Sequence, residues 1–286
     1  MIKQAECELD LIYHAFKRCN LEKISDFSEF FHDGNMGGYF DSAGNKFSPA
    51  MRFYGFLIGL RGFDKFPVVV SDYKFNKLNR KPMFHGFQKF DHGASILTDF
   101  NYHIGMGNRT LGTYFSELKD DARRYTVSTK FGEERILNDK CIMKAKIISD
   151  NFINLARLEY YCYHIINSQI ENIEECNDKQ KIIALYNFCL NNKNQENNTL
   201  EDERFEKYRL YNEIVSNPVV LALYLGYDYV KKIYHGTNIE HNILLNRGVM
   251  CTCKSQADKF TSMSENYKDA VVNFIDDFDF IEEKIK

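Results

Sequence analysis

The chain has 286 residues, enough for one large domain or two small ones, and its 44% hydrophobic and 15% aromatic content excludes global disorder. Basic side chains number 37 and acidic ones 40, a formal net charge of −3 that argues against broad non-specific nucleic-acid binding and leaves only a local basic patch open. No run of about 18 apolar residues exists, so a transmembrane helix is excluded.

The first residues, Met-Ile-Lys-Gln-Ala-Glu-Cys-Glu, lack the charged-then-apolar pattern of a signal peptide. The expected location is therefore cytoplasmic, or inside a target cell after delivery by a dedicated machine. Eight cysteines are scattered with no CxxC pair, which fits a reducing compartment. Cys251 and Cys253 form the one close pair; on a strand they share a face, so metal or redox chemistry there stays open.

In chain order, residues 4–20 place Leu9, Ile12 and Phe16 at helical spacing. Ser25 opens a second helical piece, residues 33–38 read as a turn, and 40–47 as a hairpin or irregular loop. Pro49 begins a helix to about Leu60 that Gly62 ends. Residues 66–70 form a β-branched strand, and Ser71 caps a helical piece to about Leu78. Two strand-like runs follow, Pro82–Gly86 and Gly112–Ser116, separated by a glycine-bearing loop at 105–108. A helix from Glu117 to Tyr125 then puts Leu118, Ala122 and Tyr125 on one face. Residues 140–148 alternate as a strand, and 150–175 and 179–191 read as helices. A polar stretch at 191–198 has the composition of a disordered segment, and Thr199 caps a helix to about Val215. Asn217-Pro218 starts another helix, and Ile243-Leu244-Leu245 reads as a strand. The tail from Thr261 has Val271, Phe274, Ile275, Phe278 and Ile281 in an amphipathic helical pattern.

His85-Gly86 on one strand and Gly112-Thr113-Tyr114-Phe115-Ser116 on another, with Ala122 and Tyr125 in the following helix, resemble the NAD site of the ADP-ribosyltransferase superfamily. The resemblance is to its His/Tyr branch, that of diphtheria toxin and the poly(ADP-ribose) polymerases. The order of residues 62–86, and a Pro218–Asp228 stretch followed by Ile243-Leu244-Leu245-Asn246-Arg247, resemble the domains of this type found in phage head-associated proteins. Those usually carry Tyr-Arg-Gly where this chain has His85, a departure towards the His branch. Together the resemblances cover about residues 60–253.

The resemblance implies an α+β fold, an ADP-ribosyltransferase-type split β-sandwich in one domain spanning 1–286. Its parts are an N-terminal helical segment (1–60), a core (61–149 and 216–254), a helical insertion (150–215) and a C-terminal helix (261–286). It implies transfer of ADP-ribose from NAD with release of nicotinamide. NAD is the substrate, no metal takes part, and the acceptor is a macromolecule, protein rather than nucleic acid. A toxin, effector or phage-conflict role fits, with an immunity, antitoxin or delivery partner and no membrane. His85 would meet a hydroxyl of the adenine-side ribose, Gly86 would let the ligand approach its backbone, and Tyr114 would stack on the nicotinamide ring. Gly112, Thr113 and Ser116 would line the same strand; Tyr102 and Tyr125 would form the far wall, and Arg109 would meet the pyrophosphate. Glu240, at the start of a later strand, is the candidate carboxylate for the oxocarbenium-like ribose, with Glu133 and Glu134 as alternatives. His92 and His103 lie close to His85 in sequence, but their spacing to Cys251 and Cys253 matches no standard zinc pattern. Two rivals stay open: a degenerate binding or structural module, and an NAD glycohydrolase with water as acceptor.

Overall fold

The computed structural model describes residues 2–19, 49–87, 89–98, 106–107, 110–126, 139–190, 200–233 and 238–275. The expectations at 25–48, Tyr102, His103, Gly105, Asn108, Arg109, Glu133, Glu134, 191–198, Phe278 and Ile281 lie outside these residues. The architecture is α+β: helices with an open, mixed sheet of eight strands. The chain divides into two units, one of residues 1–61, 108–110 and 155–226, the other of 62–107, 111–154 and 227–286.

The first unit is helical: α1 (Ile2–Arg18), α2 (Pro49–Leu60), α6 (Leu155–Ile166), α7 (Asn177–Leu190), α8 (Leu200–Val215) and α9 (Pro218–Leu225). In α9 every residue from Val219 to Leu225 is buried, as its all-round apolar sequence requires. Asn217 caps it by accepting a hydrogen bond from Val219 N (3.0 Å), and Gly226 ends it at φ +92°. At its C-terminus Arg61 donates to Leu223 O (3.2 Å) and to Tyr224 O, and Lys181 donates to Leu225 O. Arg61 is held in turn by Glu8 at 2.6 Å. This helix, expected with the core, groups instead with the N-terminal helices and the insertion.

The second unit carries β1 (Val68–Val70), α3 (Asp72–Lys77), β2 (Pro82–Gly86), α4 (Phe90–Thr98), β5 (Thr113–Ser116), α5 (Lys119–Arg123), β6 (Ile142–Ile147), β7 (Phe152–Asn154), β8 (Tyr229–Ile233), β9 (Glu240–Leu244), β10 (Met250–Cys253) and α10 (Lys254–Ser262). Between α4 and β5, β3 (Met106–Gly107) and β4 (Thr110–Leu111) make a two-stranded ribbon. The main sheet runs β1-β10-β6-β2-β5-β9-β8-β7, parallel at its two outer pairs and antiparallel inside. The join between β2 and β5 is a single residue pair, Phe84 with Ser116, whereas β2 pairs with β6 at five positions and β5 with β9 at four. The backbone ladder between the two four-stranded halves of the sheet is thus one pair long.

Strand alternation sorts the core. Met83, Phe115, Met143, Ala145, Ile147 and Leu244 lie on one face and pack with Ile96 and Leu97 of α4 and Ala257 and Phe260 of α10. On the other face Val68, Val70 and Cys251 pack with Phe75 and Leu78 at α3. The Val68-Val69-Val70 run is therefore buried on both sides, as an unbroken β-branched strand predicts. Lys146, buried on the α3 face, donates to Phe75 O and Leu78 O, both at 2.7 Å, and satisfies carbonyls at that helix's C-terminal end.

Three expectations are corrected. Residues 152–154 are strand β7 rather than the start of a helix, because Phe152 and Ile153 pair with Tyr229 and Val230 at the sheet edge. The Glu117–Tyr125 helix shrinks to α5 and a 3₁₀ turn at Arg124–Thr126, with Ala122 buried but Leu118 and Tyr125 exposed. Among the described residues the tail is helical only to Ser262. Beyond it the backbone of 273–275 lies along β1, Val69 N donating to Asn273 O (2.9 Å) and Ile275 N to Val69 O (2.8 Å). An edge strand's unpaired backbone groups outweigh the helical pattern there.

Candidate functional site

His85 and Glu240 come from strands that flank β5, so the three strands named by the sequence are neighbours in the order His, aromatic, Glu. The His85 ring lies 5.4 Å from Phe115, 5.7 Å from His92 and 6.0 Å from Phe87, on the face covered by α4. Its Nδ1–H donates to Tyr114 O at 2.7 Å, across the point where the two half-sheets part. That bond fixes the tautomer and leaves Nε2 as an acceptor; Nε2 is buried and has no partner among the described residues. Burial, then the neighbouring His92, pushes the His85 pKa down to about 3, so the ring is neutral at physiological pH.

Glu240 opens β9. Its backbone is locked to Glu117: Glu240 N donates to Glu117 Oε1 and Glu117 N to Glu240 O, both at 3.0 Å. Lys81 pairs with the other oxygen of Glu117 and holds that carboxyl below its usual pKa. The Glu240 side chain is half-buried. Its Oε1 accepts from Asn242 Nδ2 at 3.1 Å and stands 3.9 Å from Lys231 Nζ. Asn242 shares the face of Glu240, and Phe115 is its register partner. One face thus carries His85 Nε2, Asn242 Oδ1 and the Glu240 carboxylate, all hydrogen-bond acceptors.

Tyr114 does not join them. Ser116 pairs with Phe84, so Tyr114, two residues before Ser116, faces with Phe84 and away from His85. Phe115 takes the expected place of Tyr114 beside His85. Three further site residues have local structural roles. A Cβ on Gly86 would meet Ala122 O at 1.9 Å, so the glycine makes room for α5. Gly112, at φ +117°, would place a Cβ 2.3 Å from Ile243 Cγ2. Ser116 Oγ accepts from Leu118 N at 3.2 Å, and Thr113 is buried. Tyr125 is 58% exposed. On the far face His241 Nε2 stands 3.0 Å from Asp121 Oδ2, and burial lowers the His241 pKa.

Sequence reasoning missed Asn242 and the His241–Asp121 contact. Alternation within Glu240-His241-Asn242 was the available signal, since it puts Asn242 on the Glu240 face. The Asn246-Arg247 pair ties neighbouring segments together. Asn246 Nδ2 donates to Asp228 Oδ1 (2.6 Å), and Arg247 donates to Lys65 O (3.1 Å) and Ile96 O (3.2 Å). Among the described residues no group of three or more His, Cys, Asp or Glu is arranged to hold a metal ion, and no helix is long and apolar enough to cross a membrane. Comparison with protein-family models, curated proteins and solved structures finds no match for this chain.

Proposed function

We propose that the sheet-bearing unit is an ADP-ribosyltransferase-type domain, a split β-sandwich that binds NAD and passes ADP-ribose to a macromolecular acceptor. One observation carries the reading: the sheet parts into two halves at a single pair, and the acceptor groups of His85 and Glu240 lie on one face on either side of that parting. In the reaction the bond between ribose C1′ and the pyridinium nitrogen breaks and nicotinamide leaves with the electron pair. The acceptor's nucleophile bonds to C1′ and gives up its proton. The Glu240 carboxylate stabilises the cationic ribose. Neutral His85 accepts a ribose hydroxyl at Nε2.

A second reading is favoured by the placement of Tyr114 on the opposite face, which removes the expected stacking platform: a degenerate module that binds without transfer. Incubation of the purified chain with labelled NAD and lysate separates them. Nicotinamide release that falls at least about 100-fold in Glu240→Gln supports the transferase. Intact NAD after prolonged incubation supports the module. Free ADP-ribose with no labelled macromolecule would identify water as the acceptor.

A further inference from the structure

Asn242 is only 3% exposed, and its amide is oriented by chemistry. Nδ2 donates to Glu240 Oε1 at 3.1 Å, and because a carboxylate only accepts, the amide oxygen must point elsewhere. That oxygen, Oδ1, is buried and has no donor among the described residues. Leaving a buried acceptor unpaired is unfavourable, so the site is built for a donor that the described residues do not supply. Lys231, the register partner of Asn242 on the β8 side, is engaged elsewhere: its Nζ lies 4.0 Å over the Phe152 ring and 3.9 Å from Glu240. Oδ1 and the Glu240 carboxylate are therefore two acceptors joined through one amide, and the ligand chemistry that answers them is a pair of adjacent hydroxyls.

We infer that Asn242 is a ribose-binding residue: Oδ1 accepts a hydrogen bond from one hydroxyl of a vicinal diol, while Nδ2 holds the Glu240 carboxylate in line for the other. The inference rests on the NAD reading above and adds a residue and a ligand feature to it. It requires discrimination for hydroxylated ribose that a pocket built on the pyridine ring alone would lack.

The test is isothermal titration of the full chain and of Asn242→Ala with three probes: NAD, NAD lacking both hydroxyls of the nicotinamide-side ribose, and free nicotinamide. Asn242→Ala is expected to weaken NAD about tenfold or more, as loss of one hydrogen bond to a buried group does. Nicotinamide affinity is expected to stay within about twofold, and the deoxygenated analogue to bind both proteins alike, since a lost hydroxyl and a lost acceptor remove the same bond. Equal affinity of both proteins for NAD overturns the inference and leaves the NAD reading standing, as does an equal loss for all three probes. No binding of NAD by the unaltered chain overturns the NAD reading itself. Should Asn242→Ala fail to fold, Asn242→Val, which suits a strand and brings no acceptor, carries the same comparison.

Discussion

At the scale of single residues, burial sets the chemistry. His85 is held neutral by its surroundings, and its pKa of about 3 lies far below the ordinary histidine value. Between those two values the unfolded chain takes up a proton that the folded chain refuses, so stability falls as the pH drops. The loss begins near pH 6.5 and approaches about 1.4 kcal/mol per pH unit from this group. His92 and His241, also lowered by burial, share the upper part of that window. Urea denaturation from pH 7.5 to 4.5 is expected to show this acid slope, and His85→Asn, which keeps a donor for Tyr114 O, is expected to flatten it. An unchanged slope would contradict a neutral, enclosed ring. Gly86 makes a second prediction. A Cβ there overlaps the Ala122 carbonyl, so Gly86→Ala is expected to destabilise by about 2 kcal/mol or more, seen as a lowered denaturation midpoint.

At the scale of elements, α9 shows why polar side chains matter to an apolar helix. Its residues from Val219 to Leu225 are buried, so water does not satisfy its final carbonyls. Arg61 and Lys181 supply those bonds and meet the negative end of the helix dipole, while Glu8 balances Arg61. Arg61→Ala is expected to cost about 2 kcal/mol in equilibrium unfolding, more than truncation of an exposed arginine. Arg61→Lys is expected to recover part of it, because an ammonium keeps the charge but lacks the planar fork that lets the guanidinium meet two carbonyls and Glu8 at once. In the sheet, the Glu117–Glu240 backbone pair plays a comparable part: it fixes where β9 begins and so where the Glu240 carboxylate stands.

At the scale of the whole molecule, the tail and the parted sheet are the features that depend on residues far apart in sequence. Residues 273–275 complete the hydrogen bonding of β1, and Ile275 packs with Val68 and Val70. Ending the chain at Lys268 is expected to leave the Val69 edge unpaired and to raise concentration-dependent association, measurable by light scattering. Unaltered monodispersity would show that the edge needs no cover.

Local rules carried much of the fold. Pro49 and Gly62 bracket α2, Ser71 caps α3, and Asn217-Pro218 and Gly226 bound α9, because these residues act on their own backbone neighbourhood. The β-branched run at 68–70 and the strand at 82–86 were equally legible, since alternation and branching are properties of the chain itself. The amino-acid sequence therefore determined that this is an α+β protein with His85, an aromatic pair and Glu240 on strands. Only the tertiary structure decided that those strands lie side by side and that Phe115, not Tyr114, shares a face with His85. It also decided that Asn242 joins Glu240 there with its amide oxygen unpaired. Register is the physical reason: a shift of one residue turns every side chain of a strand to the other face, and register is set by partners tens of residues away.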